Sequence, residues 1–248
     1  MNGILLIDKP VGWTSFDVVA RIRGQLRASQ KSQVESQKAT NQKPSTLNSQ
    51  PSTPLPKIKV GHTGTLDPLA TGLLIIVVGS YCKRAAEFSG MDKVYEVTMK
   101  LGVTSTTGDE EGQKTAVSSK QPAESELQAA LQKFVGDIMQ TPPIYSAIKI
   151  NGQRAYDLAR AGKEVKMEPR PVTIYQISNI NYSYPIVTFT CKVSSGTYIR
   201  SLVQDVGHEL DVGAYMSNLR RTEVGIFKLE DAQVIKSLNL GKLLTQDI

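Results

Sequence analysis

Six consecutive apolar residues, Leu73–Val78, leave this chain little choice about its centre. Side chains along a strand point alternately to opposite faces, so a run that is apolar at every position needs burial on both sides. The run is also far shorter than the roughly 20 residues that cross a bilayer. It reads as the central strand of a sheet, and other segments supply its neighbours. Ile4–Ile7 is a short apolar strand, Tyr95, Val97, Met99 and Leu101 share one face of another, and Ile186–Val193 alternates cleanly. Helical spacing occurs in three places. Thr14 or Ser15 caps a helix with Phe16, Val19, Ile22 and Leu26 on one stripe. Leu127, Ala130, Leu131 and Phe134 mark a second helix, stopped near Gly136, and Ile199, Leu202, Val203, Val206 and Leu210 a third. Strands and helices do not alternate regularly enough for a doubly wound parallel sheet. The expected fold class is α+β, a mixed, mostly antiparallel central sheet flanked by helices and loops.

From Ser29 to Pro56 the chain is rich in Ser, Gln, Thr, Asn, Lys and Pro and has no aromatic residue. Such a stretch cannot offset its ordering entropy by burial, and it reads as a disordered low-complexity insertion. The expected organisation is a single domain formed by residues 1–28 and 57–230, the insertion at 29–56, and a short C-terminal tail at 231–248. The net charge of +6 is concentrated: residues 27–59 hold six basic groups against Glu35 alone, which leaves the rest nearly neutral. Bulk charge is therefore weak evidence for a polyanionic partner, and an RNA-binding surface has to come from where charges are placed. The N-terminus MNGILLIDKP has no basic flank and meets an acid within eight residues, unlike a secretory signal. Cys82 and Cys191 form no disulfide framework. A cytoplasmic protein without membrane association is expected.

The chemistry has few candidates. In GHTGTLDPLATGLL (61–74) a single acid, Asp67, sits among glycines and threonines. Asp67-Pro68 is a good turn start, and that is the simpler reading. The alternative is that the glycines let the backbone approach a ligand on which Asp67 acts. The motif lacks the Gly-Lys-Ser/Thr ending of a phosphate-cradling loop, no G-x-S-x-G elbow occurs, and neither His62 nor His208 has a metal-ligand neighbour at useful spacing. His208, inside a helical stretch, reads as structural. Tyrosines stand beside basic residues at Lys93-Val94-Tyr95 and Tyr198-Ile199-Arg200, and Leu219 precedes Arg220-Arg221. That combination suits stacking on a base while gripping a phosphate, although tyrosine is also common at strand ends.

Six stretches, in order, resemble the bacterial tRNA pseudouridine-55 synthase family, the TruB type. They are GILLIDKPVGWTSFDVV (3–19), GHTGTLDPLATGLL (61–74), KVYEVTMKLGVTSTTGDEEG (93–112), PPIYSAIKINGQRAYDLARAG (142–162), SSGTYIRSLVQDVG (194–207) and LRRTEVGIF (219–227). The resemblance implies the pseudouridine-synthase fold and the conversion of a T-loop uridine of tRNA to its C-glycoside isomer. It implies no cofactor or metal, the tRNA T stem-loop as partner, and a monomer with no obligatory protein partner. Asp67 resembles the family's catalytic nucleophile and Arg200 the arginine that pairs with it, a pairing that would lower its pKa. Tyr95 resembles the residue that stacks on the flipped base, Tyr198 and Leu219 line the same pocket, and His62 resembles the residue inserted among the loop bases. Lys9-Pro10 matches a motif that supports the active-site loop. The 142–162 stretch resembles the family's mobile RNA-binding loop and helix. The short span after Phe227 implies no C-terminal RNA-binding domain of the usual size.

Two rivals differ in what they need. A non-catalytic tRNA-binding or folding module would keep the tyrosines and cations but has no use for an Asp67–Arg200 pair. A guide-RNA-dependent rRNA synthase of the related branch would carry extra partner-binding regions.

Overall fold

The computed structural model describes residues 1–40 and 57–244. In chain order its strands are β1 (Gly3–Lys9), β2 (Val60–Thr63), β3 (Thr71–Val78), β4 (Lys93–Leu101), β5 (Val103–Ser105), β6 (Lys114–Ala116) and β7 (Gly136–Gln140). They continue with β8 (Lys149–Ile150), β9 (Gln153–Arg154), β10 (Arg170–Ser183), β11 (Ile186–Val193), β12 (Ala214–Val224), β13 (Phe227–Lys228) and β14 (Gln233–Val234). The α-helices are α1 (Ser15–Thr40), α2 (Ala85–Gly90), α3 (Glu124–Gln132), α4 (Ala155–Arg160) and α5 (Ile199–Glu209).

One sheet dominates, in the order β14-β1-β3-β12-β4-β11-β10-β7. Its pairings are antiparallel except β1 with β14 and β3 with β12, so the fold is α+β with a mixed, mostly antiparallel sheet. The Leu73–Val78 run lies inside β3 and divides its burial between two cores. Leu74, Ile76 and Val78 join the larger one with Val19, Ile22 and Leu26 of α1 and Leu202, Val203 and Val206 of α5. Leu73, Ile75 and Val77 join a smaller one on the opposite face with Phe88 and Phe227.

Three expectations need correction. Helix α1 does not stop near Leu26 but runs to Thr40, so the first twelve residues of the 29–56 stretch are helical. That segment lacks Gly and Pro, and seven of its twelve residues are Gln, Lys, Ala or Glu, good helix formers, which its low apolar content concealed. The rest of the insertion lies outside the described residues. Phe16 does not join the buried stripe: it is 64% exposed, and Val18 takes its place. Residues 231–244 are no loose tail, because β14 pairs parallel with β1 and Ile4 and Leu244 exchange backbone hydrogen bonds of 3.0 and 2.9 Å.

The β3–β12 seam is short. Only Thr71 opposes Arg220 and Gly72 opposes Arg221, and further along β3 its place is taken by β2. Side chains reinforce the seam: Arg221 Nε donates to the Leu73 carbonyl at 2.7 Å, Arg221 Nη2 to that of Gly64 at 3.1 Å, and Arg220 pairs with Asp8 at 2.9 Å. Gly72 makes the close approach possible. Its φ is +98° and a Cβ would stand 2.2 Å from the Arg221 carbonyl oxygen. Backbone cannot yield as a side chain does, so Gly72→Ala should destabilise the domain by at least about 2–3 kcal/mol, read by chemical denaturation.

Candidate active site

The 64–70 loop is held from one side by the start of the chain. The carbonyl of Asp67 accepts from the Ala70 N–H at 3.0 Å, so the Asp-Pro turn is real. The buried Lys9 Nζ donates to the carbonyls of Pro10 at 3.0 Å, Trp13 at 2.6 Å and Pro68 at 3.3 Å. Gly12 N–H donates to the Pro68 carbonyl at 2.8 Å. The Ser15 hydroxyl binds both backbone groups of Leu66, donating to its carbonyl at 3.1 Å and accepting from its N–H at 2.9 Å. This is the supporting role that Lys9-Pro10 suggested. Burial brings the Lys9 ammonium down to about 8, against the pull of Asp67.

From the other side comes the start of α5. The Gln140 side chain clamps Tyr198, accepting from its N–H at 2.8 Å and donating to its carbonyl at 3.1 Å. Arg200, in the first turn, is buried and points at four acceptors. It reaches Asp67 at 3.1 Å, Asp109 at 3.4 Å, the Thr107 carbonyl at 3.0 Å and the Tyr145 carbonyl at 2.8 Å. Each guanidinium nitrogen that meets a carboxylate is thus also tied to a backbone carbonyl, which fixes the plane of the fork.

The electrostatics of Asp67 differ from what the pairing alone implies. Burial pushes its carboxyl above the usual range and the Asp109 charge adds to this, while Arg200 and Lys9 pull it down; the net direction is up. The arginine is shared, so it cannot fully offset the loss of water. With 38% of its side chain still open, Asp67 is the accessible member of the cluster, whereas Asp109 is 5% open.

Tyr198 belongs to the same cluster. Burial raises its hydroxyl, the Ser146 hydroxyl beside it and Arg200 lower it, and Asp67 raises it again. Tyr95 and Leu219 lie one strand apart: Tyr95 opposes Arg221 and Leu219 opposes Val97 across β4 and β12. Residues opposite each other share a face, so the two line the larger core, 8% and 7% exposed. His62, on β2, opposes Ile76 and so shares that face. Burial and the nearby Arg221 lower its pKa, and its Nδ1 is buried without a hydrogen-bond partner. The structure therefore brings Asp67, Arg200 and Tyr198 into one cluster. It sets Tyr95 and Leu219 in the adjoining sheet face and His62 beside Arg221.

Asp109 was missed by sequence reasoning. It sits in TTGDEEG with two further acids, and nothing in the string says which one turns inward. Its side chain accepts from the Thr107 hydroxyl and from the Glu111 N–H at 3.1 Å, the local bonding that a buried carboxylate requires. Among the described residues no group of three or more His, Cys, Asp or Glu is placed to hold a metal ion. No described helix is long and apolar enough to cross a membrane.

Residues 53–199 match the family model for the TruB family pseudouridylate synthase N-terminal domain, and residues 200–246 that for the tRNA pseudouridylate synthase B C-terminal domain. The tRNA pseudouridine synthase B of Clostridium novyi (strain NT) is 41% identical over 248 residues, 100% of this chain and 74% of that protein. That of Burkholderia mallei (strain NCTC 10247) is 40% identical over 247 residues, covering 71% of its length. Among solved structures, a chain of a Cbf5-Nop10-Gar1 complex superposes with a TM-score of 0.66 at 28% identity, over 95% of this chain and 53% of that one. A chain of an H/ACA RNP bound to a substrate RNA containing 2'-deoxyuridine gives 0.63 at 26% identity, over 95% and 52%. The chain thus spans about half the length of those solved neighbours. With both family models matched end to end across the loop that carries Asp67 and the helix that carries Arg200, this chain belongs to the TruB family of tRNA pseudouridine synthases, isomerases that act on tRNA.

Proposed function

We propose that the chain converts uridine 55 in the T loop of tRNA to pseudouridine, by flipping the base into the cleft and using Asp67 as nucleophile. The observation that carries this reading is the 3.1 Å pair between a solvent-reachable Asp67 and a buried, fully engaged Arg200. The reaction breaks the bond from uracil N1 to the ribose, rotates the base, and joins the ribose to C5; the C5 proton leaves and N1 gains one. Nothing is oxidised, which fits a site of two carboxylates sharing one arginine beside tyrosine side chains. Asp67 serves by adding covalently to sugar or base, or by bearing the charge that develops as the bond breaks. Arg200 favours its ionised form against the burial that raises its pKa, and aims it. The base is inaccessible in a folded loop, so it has to leave its stack. Tyr95 and Leu219 line the pocket that receives it, Tyr198 borders it, and His62 fills the space left in the loop. The protein is proposed to act as a cytoplasmic monomer.

Mapping pseudouridine in a T-arm transcript incubated with the pure protein tests this directly. Product at the T-loop uridine is expected; RNA binding without product would favour the non-catalytic module. Replacing Tyr95 with Leu should cost roughly 1–3 kcal/mol in kcat/KM, the value of one lost base–aromatic stack. Since the proposed contacts gather around the flipped base, turnover of the isolated arm and of intact tRNA should agree within about a hundredfold. Single-turnover rates on the two substrates measure this.

A further inference from the structure

One flank of α1 is not used by the site, and its composition is unlike the rest of the surface. Phe16, Arg23 and Arg27 are spaced by seven and four residues, which places them in one row along the helix. The row starts at the active site, because Ser15, next to Phe16, holds Leu66, the neighbour of Asp67. Phe16 is 64% exposed, with its ring in solvent rather than in the core. Arg27 lies about 16.5 Å further along at 1.5 Å per residue.

The row also meets a second group of cations. Arg23 donates to the Val60 carbonyl at 2.8 Å, which turns this flank toward the entry to β2. There Lys57 and Lys59 are exposed, and the Lys59 carbonyl accepts from Gly79 N–H at 2.8 Å, bringing it to the turn that carries exposed Lys83. Lys59 and Arg23 both act on the Cys82 thiol, so the groups are close in space and not merely in sequence. The nearest acid on the helix, Asp17, lies off the row and is engaged by the Thr14 hydroxyl and N–H.

We propose that this flank is a second RNA contact: Phe16 stacks on a base beside the flipped one, and Arg27, Lys57, Lys59 and Lys83 hold backbone phosphates of the T stem. The assignment rests on the reading of the site as a tRNA-modifying centre. It is favoured over a protein partner by the order of the features. A lone exposed aromatic at the cleft, followed by cations leading away from it, matches a strand that offers a base at one point and phosphates thereafter. A protein-docking face would present a contiguous apolar centre, and here Phe16 is followed by charge.

The test separates the two parts. In the full-length protein, Arg27, Lys57, Lys59 and Lys83 are replaced together by Gln, and in a second variant Phe16 by Ala. Binding of a T-arm stem-loop is measured between 50 and 200 mM salt, with pseudouridine formation by the wild type assayed in parallel. The four-charge variant should lose tenfold or more in affinity, and the slope of log affinity against log salt should flatten by about two or more. Phe16→Ala should weaken binding by tenfold or more with the slope unchanged, since stacking releases no counterions. Both losses should fall on KM and not on the rate at saturating RNA. Unchanged affinity and slope in the four-charge variant would overturn the inference, and would leave a protein partner as the use of this face. If the wild type makes pseudouridine while the variants bind normally, this inference fails alone; if the wild type makes none, the reading of the site fails.

Discussion

Asp67→Asn is expected to reduce pseudouridine formation by at least about a thousandfold while tRNA binding stays close to that of the wild type. The substitution keeps the volume and the Asp-Pro turn, in which the Asp67 carbonyl rather than its side chain bonds Ala70. What it removes is the charge, and one preorganised charge-stabilising group at a reacting centre is worth about 10²–10³ in rate even when it forms no covalent bond. Rapid-quench single-turnover assays, with mass analysis to exclude reversion to Asp, provide the measurement. Turnover within tenfold of wild type would remove Asp67 from the nucleophile role. The same group sets a pH dependence. Because the Asp67 pKa is raised in the fold, the folded protein holds that proton more tightly than the unfolded chain. Its contribution to stability is thus fully present below the ordinary carboxylate pKa and is lost as pH rises through the raised one. Catalysis needs the ionised form, so the rate should climb with pH along an acid limb that lies above the ordinary carboxylate range.

The second large effect is expected at Asp109. Asp109→Ala leaves the buried Arg200 with Asp67 as its one carboxylate. Removing one member of a buried pair costs roughly 3–5 kcal/mol, and two carbonyls remain on the guanidinium, so a loss near the lower end is expected in denaturant titrations. Activity should fall by about a hundredfold more than unfolding explains, because Arg200 is then free to swing toward Asp67 and misplace it. Asp109→Asn keeps acceptors for the Thr107 hydroxyl and the Glu111 N–H. It should regain most of the stability but not the rate, which separates charge from scaffold.

Elements whose burial follows a simple period were legible in the chain. Ile186–Val193 coincides with β11, and Leu202, Val203 and Val206 are all buried on α5 as their spacing requires. Strand β12 was not read, because Leu-Arg-Arg-Thr-Glu shows no apolar alternation. Arg221 occupies an inward position there, 1% exposed, and satisfies itself on the carbonyls of Leu73 and Gly64. A buried arginine is invisible to a hydrophobic pattern, since what makes it tolerable is acceptors about 150 residues away in sequence. The site shows the same limit. Asp67 stood out as a lone acid in a glycine-rich motif, and Asp109 did not, because its inward turn depends on Arg200. Phe16 failed in the opposite sense: the periodicity admitted it to the core, but on the first turn of α1 its side chain is exposed.

The two-residue junction of β3 with β12 bears on when this enzyme becomes active during its own synthesis. Asp67 leaves the ribosome long before Arg200, and the arginines that fasten the junction come later still. At about 5–20 residues per second, several seconds separate the first half of the site from the second. Over that interval the nascent chain carries a carboxylate loop with nothing to aim it. A growing polypeptide therefore lacks a completed site until Arg200 and the β12 arginines have emerged, and competence should arrive in a single step once they have.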